Sequence, residues 1–194
     1  MTREEWLEAF TREVQGRFVQ MGHPLPPVRL TCGWPLSGGR PGAKSQTIGQ
    51  CFAPSVSSAG RTEIFISPVL EDSMKVAEVT LHELAHAAVG VQHGHRKPFI
   101  RAIRLLDLGG KPTATVPTPE MEAWVWPIIN KIGVYPHAAM NLSQVKKQTT
   151  RMIKVECAEC AYDDDPYIVR MSQKQIDAKG CPICPVHDIA MHAA

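Results

Sequence analysis

Residues 82–86 read His-Glu-Leu-Ala-His, and this short segment guides the interpretation of the rest of the sequence. The two histidines are four positions apart, so on an α-helix both imidazoles lie on one face and can bind one metal ion. Glu83 follows the first histidine and lies near the coordination position that the imidazoles leave open. A helix of this kind carries the minimal equipment for metal-assisted hydrolysis.

The sequence around this motif is typical of a core helix. Residues 76–89 are apolar on most sides, and we predict a helix from about Ser73 to Gly90. Polar side chains in such a helix need partners, which a metal ion supplies and an apolar neighbourhood does not. We therefore predict a zinc site at His82 and His86, with Glu83 as the general base that deprotonates the zinc-bound water.

Composition narrows the class of protein without naming a function. The chain has 194 residues, 44% of them hydrophobic, which suits one domain or one domain with a small module. Its net charge of +2 does not itself indicate a nucleic-acid partner. No stretch is apolar enough for a membrane span, and residues 1–6 do not resemble a signal peptide, so we expect a cytoplasmic protein. In that compartment the six cysteines are expected to be metal ligands or plain thiols, not disulfides.

Local patterns predict an α+β fold with a small sheet. A capping box from Thr2 to Glu5 and apolar residues at spacing four indicate a helix over residues 2–20. Residues 33–47 are rich in glycine, serine and proline and indicate a long loop. The other predicted elements are strands near residues 28–30, 48–52 and 63–67, and helices over 97–108 and from Thr118 onward.

The charge pattern divides the chain into three regions. Residues 131–154 contain five Lys/Arg and no Asp/Glu, and four cysteines follow. We therefore predict a metal-binding domain over residues 1–140, a basic linker over 141–154 and a cysteine module over 155–194.

The cysteine module has the spacing of a zinc ribbon. Two Cys-x-x-Cys pairs are separated by twenty residues, and each pair can turn two thiolates toward one ion. Four thiolates leave no position for water, so this second zinc is expected to be structural. His187 is an alternative ligand, and Cys32 and Cys51 are interpreted as separate core thiols. The predicted ligands of this structural zinc are Cys157, Cys160, Cys181 and Cys184.

A catalytic zinc usually has three protein ligands, so the helix needs a third from elsewhere. His93 and His95 follow the end of the predicted helix and are both candidates. The metzincin pattern would place a histidine at position 92, which is Gln92 here. A glutamate from a later helix is the other common solution, and Glu120 and Glu122 are the candidates for it.

These motifs together resemble the SprT-like metallopeptidase family. Its pattern is HExxH, a short connection, and a histidine with phenylalanine four residues later, which His95 and Phe99 match. The family often has glycine after that histidine, whereas Arg96 stands here and Gly94 precedes it, so His93 remains the alternative. The resemblance covers about residues 28–185 and includes Trp34-Pro35, Gly49-Gln50-Cys51, Ile64-Phe65-Ile66-Ser67-Pro68 and the terminal cysteines.

The resemblance implies a zincin-like domain followed by a zinc ribbon, and a zinc metalloendopeptidase acting on a protein or peptide substrate. It names His82, His86 and His95 as ligands of the catalytic zinc and Glu83 as the catalytic residue. Tyr135 or His137 is a candidate for stabilising an oxyanion.

The family is associated with proteolysis of proteins on DNA, which raises the question of a DNA partner. The basic residues that could contact DNA are Lys146, Lys147, Arg151 and Lys154, or Arg96, Lys97, Arg101 and Arg104. Ordinary solvated faces are the simpler interpretation of the same charges. Two alternative functions stay open: a DNA-associated zinc-binding protein with little or no proteolysis, and a zinc hydrolase acting on a non-peptide bond.

Overall fold

The computed structural model describes residues 1–36, 46–141, 143, 152–162 and 166–193, without the side chains of residues 161 and 162. The chain is a mixed α and β protein, as predicted. It divides into two compact units, Met1–Val145 and Lys146–Ala194. The boundary falls within the predicted basic linker, most of which lies outside the described residues. No helix in the described ranges is long and apolar enough to span a membrane.

The first helix, α1 (Arg3–Gln20), confirms the sequence prediction. Thr2 accepts a hydrogen bond from the N–H of Glu5, and the Glu5 side chain accepts one from the N–H of Thr2. This capping box satisfies two amides that the first turn leaves without helical partners. The buried face of α1 packs into the core of the first unit and includes Trp6, Phe10, Val14 and Phe18.

A three-stranded sheet forms the second layer of this unit. Its strands are β1 (Val28–Cys32), β2 (Gly49–Phe52) and β3 (Thr62–Ile66), in the order β1-β3-β2. β1 runs parallel to β3, and β2 runs antiparallel to it. Within the described residues β2 is therefore an edge strand, and it packs against the helix that carries the histidine motif.

Three helices and a hairpin complete the first unit. They are α2 (Ser73–Val89), α3 (Lys97–Leu105), the hairpin strands β4 (Leu108–Lys111) and β5 (Ala114–Pro117), and α4 (Pro119–Ile132). α2 is the central element, because twelve of its residues are buried, and it contacts the sheet, α3, α4 and β5.

The predicted helix over residues 97–108 is wrong at its C-terminal end. α3 ends at Leu105, and Leu108 already belongs to a strand. Asp107 between them has φ of 58°, a left-handed conformation that a helix cannot continue through. Its carboxylate accepts hydrogen bonds from Arg17 at 2.5 Å and Trp124 at 3.1 Å, and these tertiary contacts hold the turn.

The second unit contains a small sheet and one short helix. Its elements are β6 (Met152–Glu156), β7 (Ile168–Ser172), α5 (Gln173–Lys179) and β8 (His192–Ala193), with β6 at the centre of the sheet. β6 begins three residues before the predicted start of the module at residue 155. The buried residues at its core are Val155, Cys157, Cys160, Cys184 and Met191.

Candidate metal centre

Three histidine side chains converge in the first unit. His82 and His86 come from successive turns of α2, and His95 comes from the segment between α2 and α3. One nitrogen from each ring lies within 4.8 Å of the other two, and the Nε2 atoms of His86 and His95 are 3.3 Å apart. Two nitrogens bound tetrahedrally to zinc at about 2.0–2.1 Å are separated by about 3.3 Å. The three side chains could therefore bind one metal ion.

Two glycines bring the third histidine back toward α2. The helix ends at Gly90, whose φ is 97°, and a 3-10 turn over Val91–His93 follows. Gly94 then adopts φ of 49° and ψ of −138°, a conformation that residues with a side chain rarely adopt. His95 joins the cluster as a result. His93, Glu120 and Glu122 are not members of this group of three.

The ring of Phe99 packs against all three imidazoles. Its side chain is fully buried, and its ring stacks on His86 with centroids 3.9 Å apart and planes 16° apart. It contacts His82 and His95 edge-on, at 4.9 and 5.1 Å between centroids. His95 lies just before α3 and Phe99 lies in its first turn, so the start of this helix places both residues against α2.

A buried hydrogen-bond chain fixes the orientation of His82. The Thr115 hydroxyl of β5 donates its single proton to Glu78, so it must accept from the Nδ1 atom of His82, 3.0 Å away. His82 then carries its proton on Nδ1 and leaves Nε2 free for a metal. The Glu78 side chain is 1% exposed, and Lys75 donates to its other oxygen at 2.5 Å. This chain of contacts was not predicted from the sequence.

The surroundings of the three imidazoles favour their neutral form, as metal binding requires. Burial lowers the pKa of His82 to about 3, with further contributions from the charges of His86, His95 and Lys75. Burial and His95 lower the pKa of His86 to about 4, and burial lowers the pKa of His95. All three nitrogen lone pairs are therefore available at neutral pH.

Glu83 lines the same cavity and packs closely against Gly49 of β2. Its side chain is 5% exposed, and burial, followed by the charge of Glu78, raises its pKa to about 8. A methyl group at Gly49 on β2 would lie 2.5 Å from its Oε1 and 2.7 Å from Val79. Any larger residue at this position would require the Glu83 carboxylate and the Val79 side chain to shift. Cys51, also on β2, has a pKa raised to about 12 by burial and by Glu83, so its thiol stays protonated.

The cavity that contains these groups has a volume of about 510 Å³. Residues 46–51 form one wall, which includes the edge strand β2, and residues 113–115 of the hairpin form another. The three histidines, Glu83 and Glu78 line it between these walls. The arrangement brings potential metal ligands, a carboxyl group and a strand edge to one site.

The candidates for oxyanion stabilisation lie elsewhere. Tyr135 is buried against Trp6, with ring centroids 5.2 Å apart, and its N–H donates to Ser73. His137 lies 2.8 Å from the carbonyl oxygen of Pro68. Neither residue is among those that line the cavity, and the suggestion that one of them stabilises an oxyanion stays a prediction.

A second group of metal-ligand side chains lies in the second unit. The sulfur atoms of Cys157, Cys160 and Cys184 and one nitrogen of His187 all lie within 4.8 Å of one another. Cys181, which the sequence analysis included as the fourth ligand, is not a member of this group. None of the six cysteines forms a disulfide in the structure.

The predicted basic contacts are only partly within the described residues. Lys146, Lys147 and Arg151 lie outside them, as does the acidic run at residues 163–165. Lys154 forms an ion pair with Glu156 on the same strand. The other predicted set, Arg96, Lys97, Arg101 and Arg104, is exposed at and along α3.

Comparison with known proteins gives no match to this chain among family models, curated proteins or solved structures. The geometry of the two clusters therefore carries the functional interpretation.

Proposed function

We propose that this chain is a zinc-dependent metalloendopeptidase of the SprT-like kind, with a zincin-like domain followed by a structural zinc ribbon. The observation that carries the proposal is the convergence of three neutral imidazoles and a buried carboxyl group in one cavity. This combination suits hydrolysis at a metal.

In this proposal the histidines bind the metal and Glu83 transfers a proton. His82, His86 and His95 would hold zinc, and zinc, when bound, supplies acidification of a water molecule and polarisation of a carbonyl group. Glu83 takes the proton of the attacking water and returns it to the leaving amine. Without a metal, burial and then the charge of Glu78 raise the pKa of Glu83 to about 8, and a neighbouring dication favours its ionised, proton-accepting form.

The edge strand supports an extended peptide as the substrate. Within the described residues β2 pairs with β3 on one side, and residues 46–51 line the cavity beside Glu83. A sheet edge can add a further strand through main-chain hydrogen bonds. A peptide bound along β2 would lie next to the three histidines, which favours a peptide bond over other hydrolysable bonds.

A second candidate is a DNA-associated zinc-binding protein with little proteolysis. It is favoured by the exposed basic residues Arg96, Lys97, Arg101 and Arg104, none of which forms an ion pair with another described residue. Such a surface could neutralise DNA phosphates, in which case binding would weaken steeply as salt is raised. This candidate keeps both zinc sites.

Cleavage of casein and histones, with and without DNA, tests the proposal. Glu83→Gln should keep both zinc ions, measured by elemental analysis, and abolish cleavage, whereas His82→Ala should lose one zinc. Glu120→Gln is the matched control, because it neutralises an exposed glutamate outside the cavity and should cleave normally. Cleavage retained by Glu83→Gln would remove the catalytic role of Glu83. Two zinc ions without cleavage by the unsubstituted chain would favour the DNA-associated candidate.

A further inference from the structure

The end of the second unit contains two overlapping candidates for a metal-binding turn. Residues 181–187 read Cys-Pro-Ile-Cys-Pro-Val-His, so Cys184 is the second ligand of one three-residue spacing and the first ligand of the next. The two pairs are Cys181 with Cys184 and Cys184 with His187. A tetrahedral site that also contains Cys157 and Cys160 has room for only one of these pairs.

Interatomic distances favour the pair that contains His187. Its Nδ1 atom lies 3.3, 3.7 and 3.9 Å from the sulfur atoms of Cys160, Cys157 and Cys184. The sulfur atoms of Cys160 and Cys184 are 3.7 Å apart. Tetrahedral zinc requires about 3.6 Å between nitrogen and sulfur and about 3.8 Å between two sulfurs. The four atoms therefore already occupy the corners of a zinc site.

The backbone forms a closed turn that contains the same pair. The N–H of Asp188 donates to the carbonyl oxygen of Cys184 at 2.9 Å, and the N–H of Cys184 donates to the carbonyl oxygen of Ile189 at 2.8 Å. These two hydrogen bonds close a turn that begins at Cys184 and includes His187.

Burial separates Cys181 from the other cysteines. The side chains of Cys157, Cys160 and Cys184 are at most 1% exposed and form the core of the unit. Cys181 is only partly buried and packs at the margin of that core. His187 is itself exposed, so the choice between Cys181 and His187 rests on the interatomic distances and not on burial.

We propose that the zinc of the second unit is held by Cys157, Cys160, Cys184 and the Nδ1 atom of His187, and that Cys181 is a free thiol. Three thiolates and one imidazole are a common donor set for structural zinc. The proposal concerns a different site from the peptidase centre and holds whether or not the chain cleaves proteins.

Alkylation of the zinc-loaded full chain tests this assignment directly. After brief treatment with N-ethylmaleimide, mass spectrometric sequencing should find Cys181 modified and Cys157, Cys160 and Cys184 protected until a chelator is added. The fragment ions separate Cys181 from Cys184 within one peptide. Protection of Cys181 equal to that of the other three, with release by the chelator, would overturn the proposal.

Cobalt substitution gives an independent measurement. The near-ultraviolet thiolate-to-cobalt absorption reports this unit, because the other ligand group consists of three histidines. Cys181→Ser should leave the band unchanged, whereas His187→Ala should alter the visible cobalt spectrum and weaken metal retention. If Cys181 were a ligand, Cys181→Ser would remove about a quarter of the band intensity, and that loss would refute the assignment.

Discussion

Replacing Glu83 by glutamine should change how the stability of the metal-free protein depends on pH. Burial, followed by the charge of Glu78, raises the pKa of Glu83 from 4.5 to about 8. Between these values the folded chain holds a proton that the unfolded chain releases. Unfolding releases this proton, so the free energy of unfolding falls as pH rises through this window. The pKa is raised because the ionised carboxylate is unfavourable in a buried site. Glutamine has no such proton.

The magnitude follows from the width of the window. Each pH unit between the two pKa values contributes about 1.4 kcal/mol, so from about pH 5.5 to 7.0 the advantage of Glu83→Gln should grow by about 2 kcal/mol. His82 and His86 act in the opposite direction, because their lowered pKa values make stability rise with pH. Both chains contain these histidines, so their contribution cancels in the difference.

Urea unfolding followed by tryptophan fluorescence measures this difference in chelator. All four tryptophans, at positions 6, 34, 124 and 126, belong to the first unit, so the signal reports that unit alone. Glu8→Gln is the control, since it removes an exposed carboxylate of α1 and should change stability by less than about 0.5 kcal/mol. A Glu83→Gln advantage that is equal at both pH values, or smaller at the higher one, would refute the assignment of a buried, protonated Glu83.

Three further substitutions test the construction of the metal centre. Thr115→Val breaks the hydrogen bond that orients His82 and should weaken zinc binding about 10- to 100-fold in a chelator competition. Thr113→Val is the control, because Thr113 lines the same wall of the cavity but is not the hydrogen-bond partner of His82, and it should leave zinc binding unchanged. Gly49→Ala places a methyl group 2.5 Å from the Glu83 carboxylate and should abolish cleavage while both zinc ions remain. Phe99→Ala removes the fully buried floor of the site and should lower the free energy of unfolding by about 3–5 kcal/mol in urea titrations.

The elements that could be predicted from the sequence are those with strong local signals. α1 carries a capping box and apolar residues at spacing four, and α2 carries a long apolar run that ends at glycine. The hairpin of β4 and β5 had no comparable signal, because Gly109 and Gly110 have weak strand propensity. Its existence depends on tertiary contacts, including the hydrogen bond from Thr118 to the carbonyl oxygen of Asp107 at 2.7 Å.

The same distinction applies within the metal centre. His82 and His86 are brought together by helix periodicity alone, so two positions in one sequence motif are enough to place them. Thr115 reaches His82 from 33 residues away, on the hairpin that the sequence did not indicate. In the sequence Glu78 is only a charged residue in an apolar helix. Its hydrogen-bond partner, Thr115, cannot be identified without the fold.

The cysteines of the second unit show why spacing predicts the existence of a metal site more readily than the atoms that form it. Residues 181–187 satisfy the three-residue spacing twice, and both versions contain proline after the first ligand. The choice depends on which side chains the folded backbone brings within ligand distance of one another, a property of conformation rather than of residue order. The Nδ1 atom of His187 lies 3.3 to 3.9 Å from the sulfur atoms of Cys160, Cys157 and Cys184, and Cys181 is not a member of this group. A repeated spacing should therefore be interpreted as a set of alternative ligand sets until the positions of the side chains are known.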